Sequence, residues 1–321
     1  MPIDPVRYED HDEAPHDPGP DPAWQESVFL HWYDPKVGVG GITRIGHEPS
    51  PGVTALWCGV ITREGTRFRR SAALPYRAED RLPDGFGAGP GHQLTFDPRP
   101  RLRVKEDGCE LDLLVEDFYP RTDFFPKDTM VSDEFAAHHF EASGRVTGTA
   151  VLGGTVYEID GFGHRDHSWG PRRWDTLLSH RWVSGTFGPA LSFGSVVWHA
   201  ADGSLLQVGY LVRDGKVSYA DVDVVVHMES DALTHRGGEV TWRTGAGEAL
   251  TLYPKAVDGV LSVHRGVAVV DTLCEIEHDG MIGACDFEIS TNPRAGGGPV
   301  LTALRAVAED GLTRAAVGGS G

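Results

Sequence analysis

The sequence is poor in the residues that staple or metallate a small fold. Only four of its 321 residues are cysteine, Cys58, Cys109, Cys274 and Cys285. None forms a C-x-x-C pair or falls at zinc-finger spacing. Buried, reduced thiols are expected, and whether Cys274 and Cys285 meet is open, since both lie in neighbouring β-like runs. Positive charge is also scarce. The chain has 29 Lys and Arg against 47 Asp and Glu, a formal net charge of −18. Such a surface repels phosphate backbones and anionic headgroups, which argues against nucleic-acid and membrane-surface partners. No apolar run approaches the roughly 20 residues that span a bilayer. The start, Met1-Pro2-Ile3-Asp4-Pro5, lacks the apolar stretch of a signal peptide. A soluble, cytoplasmic protein is expected, with no indication of its oligomeric state.

Long helical patterns are missing too, and only 299–309 reads as a short helix. What remains is a succession of short β-branched and aromatic runs bounded by Gly, Pro and Asp. They cover 28–33, 53–62, 93–96, 101–117, 144–160, 180–188, 191–199, 204–213 and 216–226. Further runs cover 238–243, 248–253, 258–264, 267–277 and 281–290. Asp107-Gly108, Gly153-Gly154, Asp202-Gly203 and Asp214-Gly215 read as the turns between consecutive strands. The glycine-dense stretch 38–42 has no Gly-Lys-Ser/Thr after it, so it reads as a bent or bulged strand rather than a phosphate loop. The fold class is all-β, with barrels or sandwiches favoured. Residues 1–23, rich in Pro and Asp, form a flexible or surface-draped arm. Two domains of similar length follow, 24–155 and 156–321, although the letters show no repeat between them.

One segment is chemically dense: Gly161-Phe162-Gly163-His164-Arg165-Asp166-His167-Ser168-Trp169-Gly170. If it is extended, its side chains alternate. His164, Asp166 and Ser168 then face one way, and Arg165, His167 and Trp169 the other. An extended strand cannot aim Asp166 and His167 at one atom, so a shared site needs a bend, which Gly161 and Gly163 offer. A carboxyl beside Arg and His is either held ionised or shares a proton with His; in an apolar pocket it is instead raised toward a general acid. The residues leave this choice open. A metal set drawing on His164, Asp166, His138, His139 or His180 has no strong signature spacing, so no metal and no cofactor are expected. There is no G-x-S-x-G elbow, and Asp-His-Ser in direct sequence is not a triad.

The run Gly-x-Gly-x-Arg-Asp-His-Ser-Trp-Gly-x-Arg, preceded by Gly144-Arg145-Val146-Thr147-Gly148 and a hairpin, resembles the superfamily of carotenoid 1,2-hydratases (hydroxyneurosporene synthase), AttH-like proteins and lipocalin-type Diels–Alderases. The corresponding run there looks like His-Asp-His-Asn-Trp-Gly, with Arg165 and Ser168 here in place of the first His and the Asn. The stretches 26–35 and 40–46 also look like uncharacterised bacterial members of this group. The resemblance implies two lipocalin-like antiparallel β-barrel domains packed side by side, with a ligand pocket at or near their interface. It also implies hydration of an isolated double bond or cyclisation of a polyene, without a cofactor. By position it makes Asp166, His167, Trp169 and Arg165 the catalytic candidates, with Trp169 facing a substrate cation through its ring. Hydratases of the group draw a Tyr-x-Asp pair from a strand shortly downstream. Here 193–199 reads Phe-Gly-Ser-Val-Val-Trp-His and departs from that pattern.

Around the motif, His164, His139, Glu141, Trp182, Trp198 and Glu288 are the candidates for lining a substrate site. Arg165 and Arg172 are candidates to clamp Asp166 or Glu141. The function expected is an acid–base lyase, isomerase or cyclase acting on a hydrophobic terpenoid, polyene or aromatic molecule. A Diels–Alderase-type pericyclase and a non-catalytic lipocalin-like carrier are the alternatives.

Overall fold

The computed structural model describes residues 8–125, 135–229 and 234–292. The helix expected over 299–309 lies outside the described residues. Among those described, helical turns are confined to the short 3-10 segments Asp10–Glu13, Ala78–Asp80 and Trp174–Thr176. No helix among them is long and apolar enough to cross a membrane. The rest of the regular structure is antiparallel β, in two units, up to Arg172 and from Arg173.

The first unit contains β1 (Trp24–Asp34), β2 (Val39–Glu48), β3 (Val53–Thr62), β4 (Arg67–Pro75), β5 (Arg81–Leu82) and β6 (Gly85–Ala88). It continues with β7 (His92–Thr95), β8 (Arg101–Glu106), β9 (Cys109–Asp117), β10 (Thr122–Asp123), β11 (His138–Leu152) and β12 (Thr155–Pro171). They form one open sheet in the order β4-β3-β2-β1-β12-β11-β9-β8-β7-β6-β5, with β10 paired to β11. The second unit contains β13 (Leu177–Thr186), β14 (Leu191–Ala200), β15 (Leu205–Arg213), β16 (Lys216–Met228) and β17 (His235–Thr244). β18 (Ala249–Leu252), β19 (Lys255–His264), β20 (Val267–His278) and β21 (Met281–Thr291) complete it. Its order is β16-β15-β14-β13-β21-β20-β19-β17-β18, and a further β16–β17 pairing closes a ring that leaves β18 outside. Each unit is thus a lipocalin-like β domain, as the resemblance implies.

The expected turns lie where the glycines put them. Gly108, Gly153, Gly154, Gly203 and Gly215 all have positive φ, which glycine adopts without a Cβ penalty. Gly38 likewise turns β1 into β2, after which Val39–Glu48 pairs with both neighbours without a bulge. β8 and β9 alternate buried and less buried positions, the pattern of a sheet with one wet face. β1, β2 and β3 are buried along almost their whole length, so both of their faces are covered. One apolar core gathers Val28, Leu30, Trp32, Ile45, Leu56 and Phe86 among others. The second unit has its own, around Val183, Phe193, Val240, Trp242, Cys274 and Phe287. All four cysteines are buried and free, with Cys274 opposite Cys285 across β20 and β21. Burial pushes the Cys58 and Cys109 thiols up to about 12, so they stay protonated.

Two expectations change. A division at 155/156 would cut the β11–β12 hairpin, whose strands lie side by side in the middle of the first sheet. The first unit therefore runs on to Arg172. Gly161 and Gly163 do not bend the chain. β12 stays in uninterrupted register with β11 through both, and with β1 through Gly163 as far as Phe162. They admit close backbone approach instead: a Cβ at Gly161 would lie 2.3 Å from the Tyr33 carbonyl oxygen, and one at Gly163 2.7 Å from that of His31. Gly161→Ala is expected to destabilise by about 1–3 kcal/mol through overpacking. Gly245→Ala, where a Cβ meets nothing within 4 Å, should stay within about 0.5 kcal/mol. Urea denaturation of the two variants measures the difference.

Candidate active site

The unbroken register of β12 decides how the motif is displayed. Residues opposite one another in an antiparallel pair point to the same face. His164, Asp166 and Ser168 therefore share a face with Ser143, Glu141 and His139 of β11, and with His31, Phe29 and Ser27 of β1. Arg165, His167 and Trp169 share the other face with Ala142, Phe140 and His138, and with Leu30, Val28 and Glu26. Asp166 and His167 stand on opposite sides of the sheet and cannot act on one atom together, contrary to the expected bend.

The first face carries a connected row of polar groups. Ser143 Oγ donates to His164 Nδ1 at 2.7 Å, and His164 Nε2 donates to Glu141 Oε2 at 3.0 Å. Glu141 Oε1 lies 3.6 Å from His139 Nε2, which lies 3.8 Å from Asp166 Oδ2. The His31 ring is stacked against His164, centroids 5.7 Å apart. Ser168 Oγ accepts from Arg172 and lies 3.3 Å from Ser27 Oγ. Arg172 thus holds Ser168. Burial, reinforced by the positive charge of Arg172, pushes the His139 imidazole well below the usual histidine range. His139 is therefore neutral near pH 7. Ser143, Glu141 and His164 are sealed, whereas Asp166 keeps 9% of its surface and the His139 side chain 12% exposed. Asp166 and His139 are the least buried members of the row.

The opposite face is committed to holding the chain together. Arg165 is 1% exposed. Its guanidinium donates to Glu13 Oε1 at 2.6 Å and Oε2 at 3.1 Å, and to Asp117 at 2.6 and 3.0 Å. Arg121 donates to the same Glu13 at 2.6 Å. Burial alone would raise the Glu13 carboxyl, but Arg165, Arg121 and His167 hold it below its ordinary value. Arg165 clamps these two carboxylates, not Asp166 or Glu141, and the amino-terminal arm is anchored by a buried charge. His167 Nε2 donates to Glu26 Oε1 at 3.0 Å, and its ring sits among Phe86, Phe96 and Phe140. Trp169 is buried and stacked against His16 and His138, with centroids 3.9 and 4.8 Å away. Its π-face is occupied by imidazoles, so the expected role of facing a substrate cation has no open ring to serve it. A cleft of about 640 Å³ opens on this side, lined by Glu13, Phe96, Asp97, Asp117, Arg121 and Arg165 among others. Its charged lining suits an apolar ligand poorly.

Trp182, Trp198 and Glu288 belong to the second unit and form a cluster of their own. His180 Nε2 is hydrogen-bonded to Glu288, and Ser290 Oγ donates to His180 Nδ1 at 2.6 Å. Trp198 lies opposite His180, their rings stacked 6.1 Å apart, and Trp182 lies opposite Glu288.

The two clusters share one design. In the first unit Glu141-x-Ser143 faces His164-Arg165 across a strand pair. In the second, Glu288-x-Ser290 faces His180-Arg181 in the same hydrogen-bonding pattern, and Arg181 is as buried as Arg165. Asp166, opposite Glu141, corresponds to Trp182, opposite Glu288. The position of the Asp166 carboxylate is thus taken by an indole in the second unit. The sequence conceals this repeat because the order of its halves is reversed. Glu-x-Ser precedes His-Arg in one unit and follows it by about a hundred residues in the other. Ser143, Ser290, His31, Glu13, Glu26 and Asp117 carry no local signal and were not singled out by the sequence.

Comparison with protein families matches residues 9–293 to a domain family of unknown function, DUF7064. Comparison with the curated proteins gives no match. Among solved structures, an AttH-like protein of Nitrosomonas europaea is similar over 91% of this chain and 98% of its own, with TM-score 0.63 and 11% identity. Kievitone hydratase from Nectria haematococca is similar over 91% and 94%, with TM-score 0.60 and 8% identity. CghA, also solved with Sch210972, is similar over 86% and 90%, with TM-score 0.59 and 13% identity. At these identities the likeness is one of fold.

Proposed function

The chain belongs to the DUF7064 family, and we propose that it is a cofactor-independent acid–base enzyme acting on a small hydrophobic molecule, with Asp166 and His139 as the groups that meet the substrate. The observation that carries this reading is the Ser143–His164–Glu141 row ending at a neutral imidazole and a carboxyl 3.8 Å apart. Such a pair can hand a proton to one atom and take one from another. Hydration, dehydration, double-bond isomerisation and cation-mediated cyclisation all need that exchange. His139, kept neutral by burial, is in its unprotonated form near pH 7. Glu141 and His164 act through it as positioning residues, because both are more deeply buried than His139. Phe124 and Phe125, stacked on and edge-on to the His139 ring at 4.6 and 5.6 Å, give the substrate side an apolar wall. The name of kievitone hydratase supports the lyase side of the reading: a protein of this fold is a hydratase.

The test starts from the purified full-length protein. Native mass spectrometry and solvent extraction identify co-purifying small molecules, which are then incubated with fresh enzyme. Conversion to a product differing by water, or to an isomer of equal mass, is the expected result. A tightly held apolar ligand that always returns unchanged would make the protein a carrier and overturn the proposal.

A further inference from the structure

We propose that His16, Glu26 and His167 form a binding site for one divalent transition-metal ion of the zinc type, which clips the amino-terminal arm onto the first sheet. The three residues come from separate segments: the arm, β1 and β12. Their donor atoms all lie within 4.8 Å of one another. His16 Nδ1 is 2.7 Å and His167 Nε2 is 3.0 Å from the same oxygen, Glu26 Oε1. An ion about 2.0–2.2 Å from each ligand places tetrahedral donors roughly 3.3 Å apart. Admitting it requires the two nitrogens to draw back from Oε1 by about 0.3–0.6 Å and to stand at that same spacing from each other. The ion then replaces the two imidazole protons that now point at the carboxylate.

The donor chemistry is specific. Two imidazoles and one carboxylate are the protein ligands of open zinc sites, which leave a position for water, and of some iron(II) sites. The surroundings are those of a built site. The His16 ring is fixed by stacking on Trp169 at 3.9 Å, and its other nitrogen faces Asp12 Oδ1 at 3.8 Å. A carboxylate behind a ligating imidazole orients it and raises its basicity. The backbone N–H of His16 donates to both Glu26 oxygens at 3.1 Å. Phe86, Phe96 and Phe140 pack round His167 and keep the dielectric low. Glu26 accepts from both imidazoles and supplies the one carboxylate of the set. With metal on Nε2, the remaining His167 proton sits on Nδ1, which is buried without a hydrogen-bond partner among the described residues. That sets the expected affinity nearer micromolar than nanomolar. The site is independent of the proposed catalytic row, which lies on the opposite face of the sheet.

The experiment uses tag-free full-length protein, stripped with chelator and titrated with Co²⁺ and Zn²⁺. The expected result is one Co²⁺ per chain, with the intense visible bands of four-coordinate cobalt that Zn²⁺ then abolishes. A rise in the thermal midpoint on adding Zn²⁺ should accompany it. His16→Ala, on the arm, should weaken binding at least tenfold and lose the Zn²⁺-dependent thermal shift. His138→Ala, which removes the other ring stacked on Trp169 but no ligand, should bind as the wild type does. His16→Gln serves as a second removal of the ligand should the alanine variant fold poorly. Absence of binding, or binding unchanged in both His16 variants, would overturn the proposal, as would an equal loss in His138→Ala.

Discussion

Asp166→Asn is expected to lower turnover by about 10²- to 10⁴-fold, the usual contribution of a positioned acid–base group, while leaving the thermal transition nearly where it was. The carboxyl is one of the two least buried groups of the first-face row and lies 3.8 Å from His139. The amide has the same shape and keeps polar contact with that imidazole, but it can neither release nor accept a proton. Stability and chemistry should therefore separate. His167→Gln is the instructive opposite. His167 is fully buried on the other face, against Glu26 and three phenylalanines, so its loss should appear first as a lower unfolding midpoint. The measurement is single-turnover kinetics beside calorimetry for both variants. Full activity in Asp166→Asn would remove Asp166 from the reaction.

Arg165→Ala should destabilise the first unit by about 3–5 kcal/mol, the cost of breaking a buried ion pair by removing one partner. The guanidinium lies between Glu13 and Asp117 with four donor contacts of 2.6–3.1 Å. Removing it leaves two carboxylates facing each other, one of them almost fully buried. Lysine should rescue little, because a single ammonium cannot serve two carboxylates in fork geometry. Glu13→Gln in the Arg165→Ala background should recover part of the loss by relieving the carboxylate pair, in which Arg121 alone then offsets Glu13. Urea unfolding of the three variants reports this. The pH dependence follows from the same cluster. The Glu13 carboxyl is depressed below its ordinary 4.5. Its contribution is therefore fully present above that value and is lost as the pH falls through the lowered folded-state value. Acid should release the arm of the wild type first, and protease cleavage within residues 8–23 at falling pH would show it.

Much of the fold was legible in short-range pattern. The alternation in 101–117 and the glycine turns at 108, 153–154, 203 and 215 place strands where the structure has them. The same alternation separates His164 and Asp166 from Arg165, His167 and Trp169. The bend at Gly161 and Gly163 was misread, because glycine marks both sharp turns and close backbone approach, and only the neighbouring strand tells them apart. Here Tyr33 and His31 of β1 are that neighbour.

The motif at 161–170 was visible as a dense polar run, but its partners were not. Glu13 and His16 sit in an arm whose composition suggests only a flexible or draped segment, yet they contribute a buried ion pair and a hydrogen bond to the sheet. The second Glu–His–Ser relay spans |i−j| = 108 between His180 and Glu288, with its two halves in the opposite chain order from the first.

Periodicity is a property of adjacent residues, so the sequence alone determines which side chains share a strand face. Which strands become neighbours depends on burying each face against a distant segment. The tertiary structure therefore decided that Asp166 meets His139 rather than His167, and that Arg165 anchors the arm.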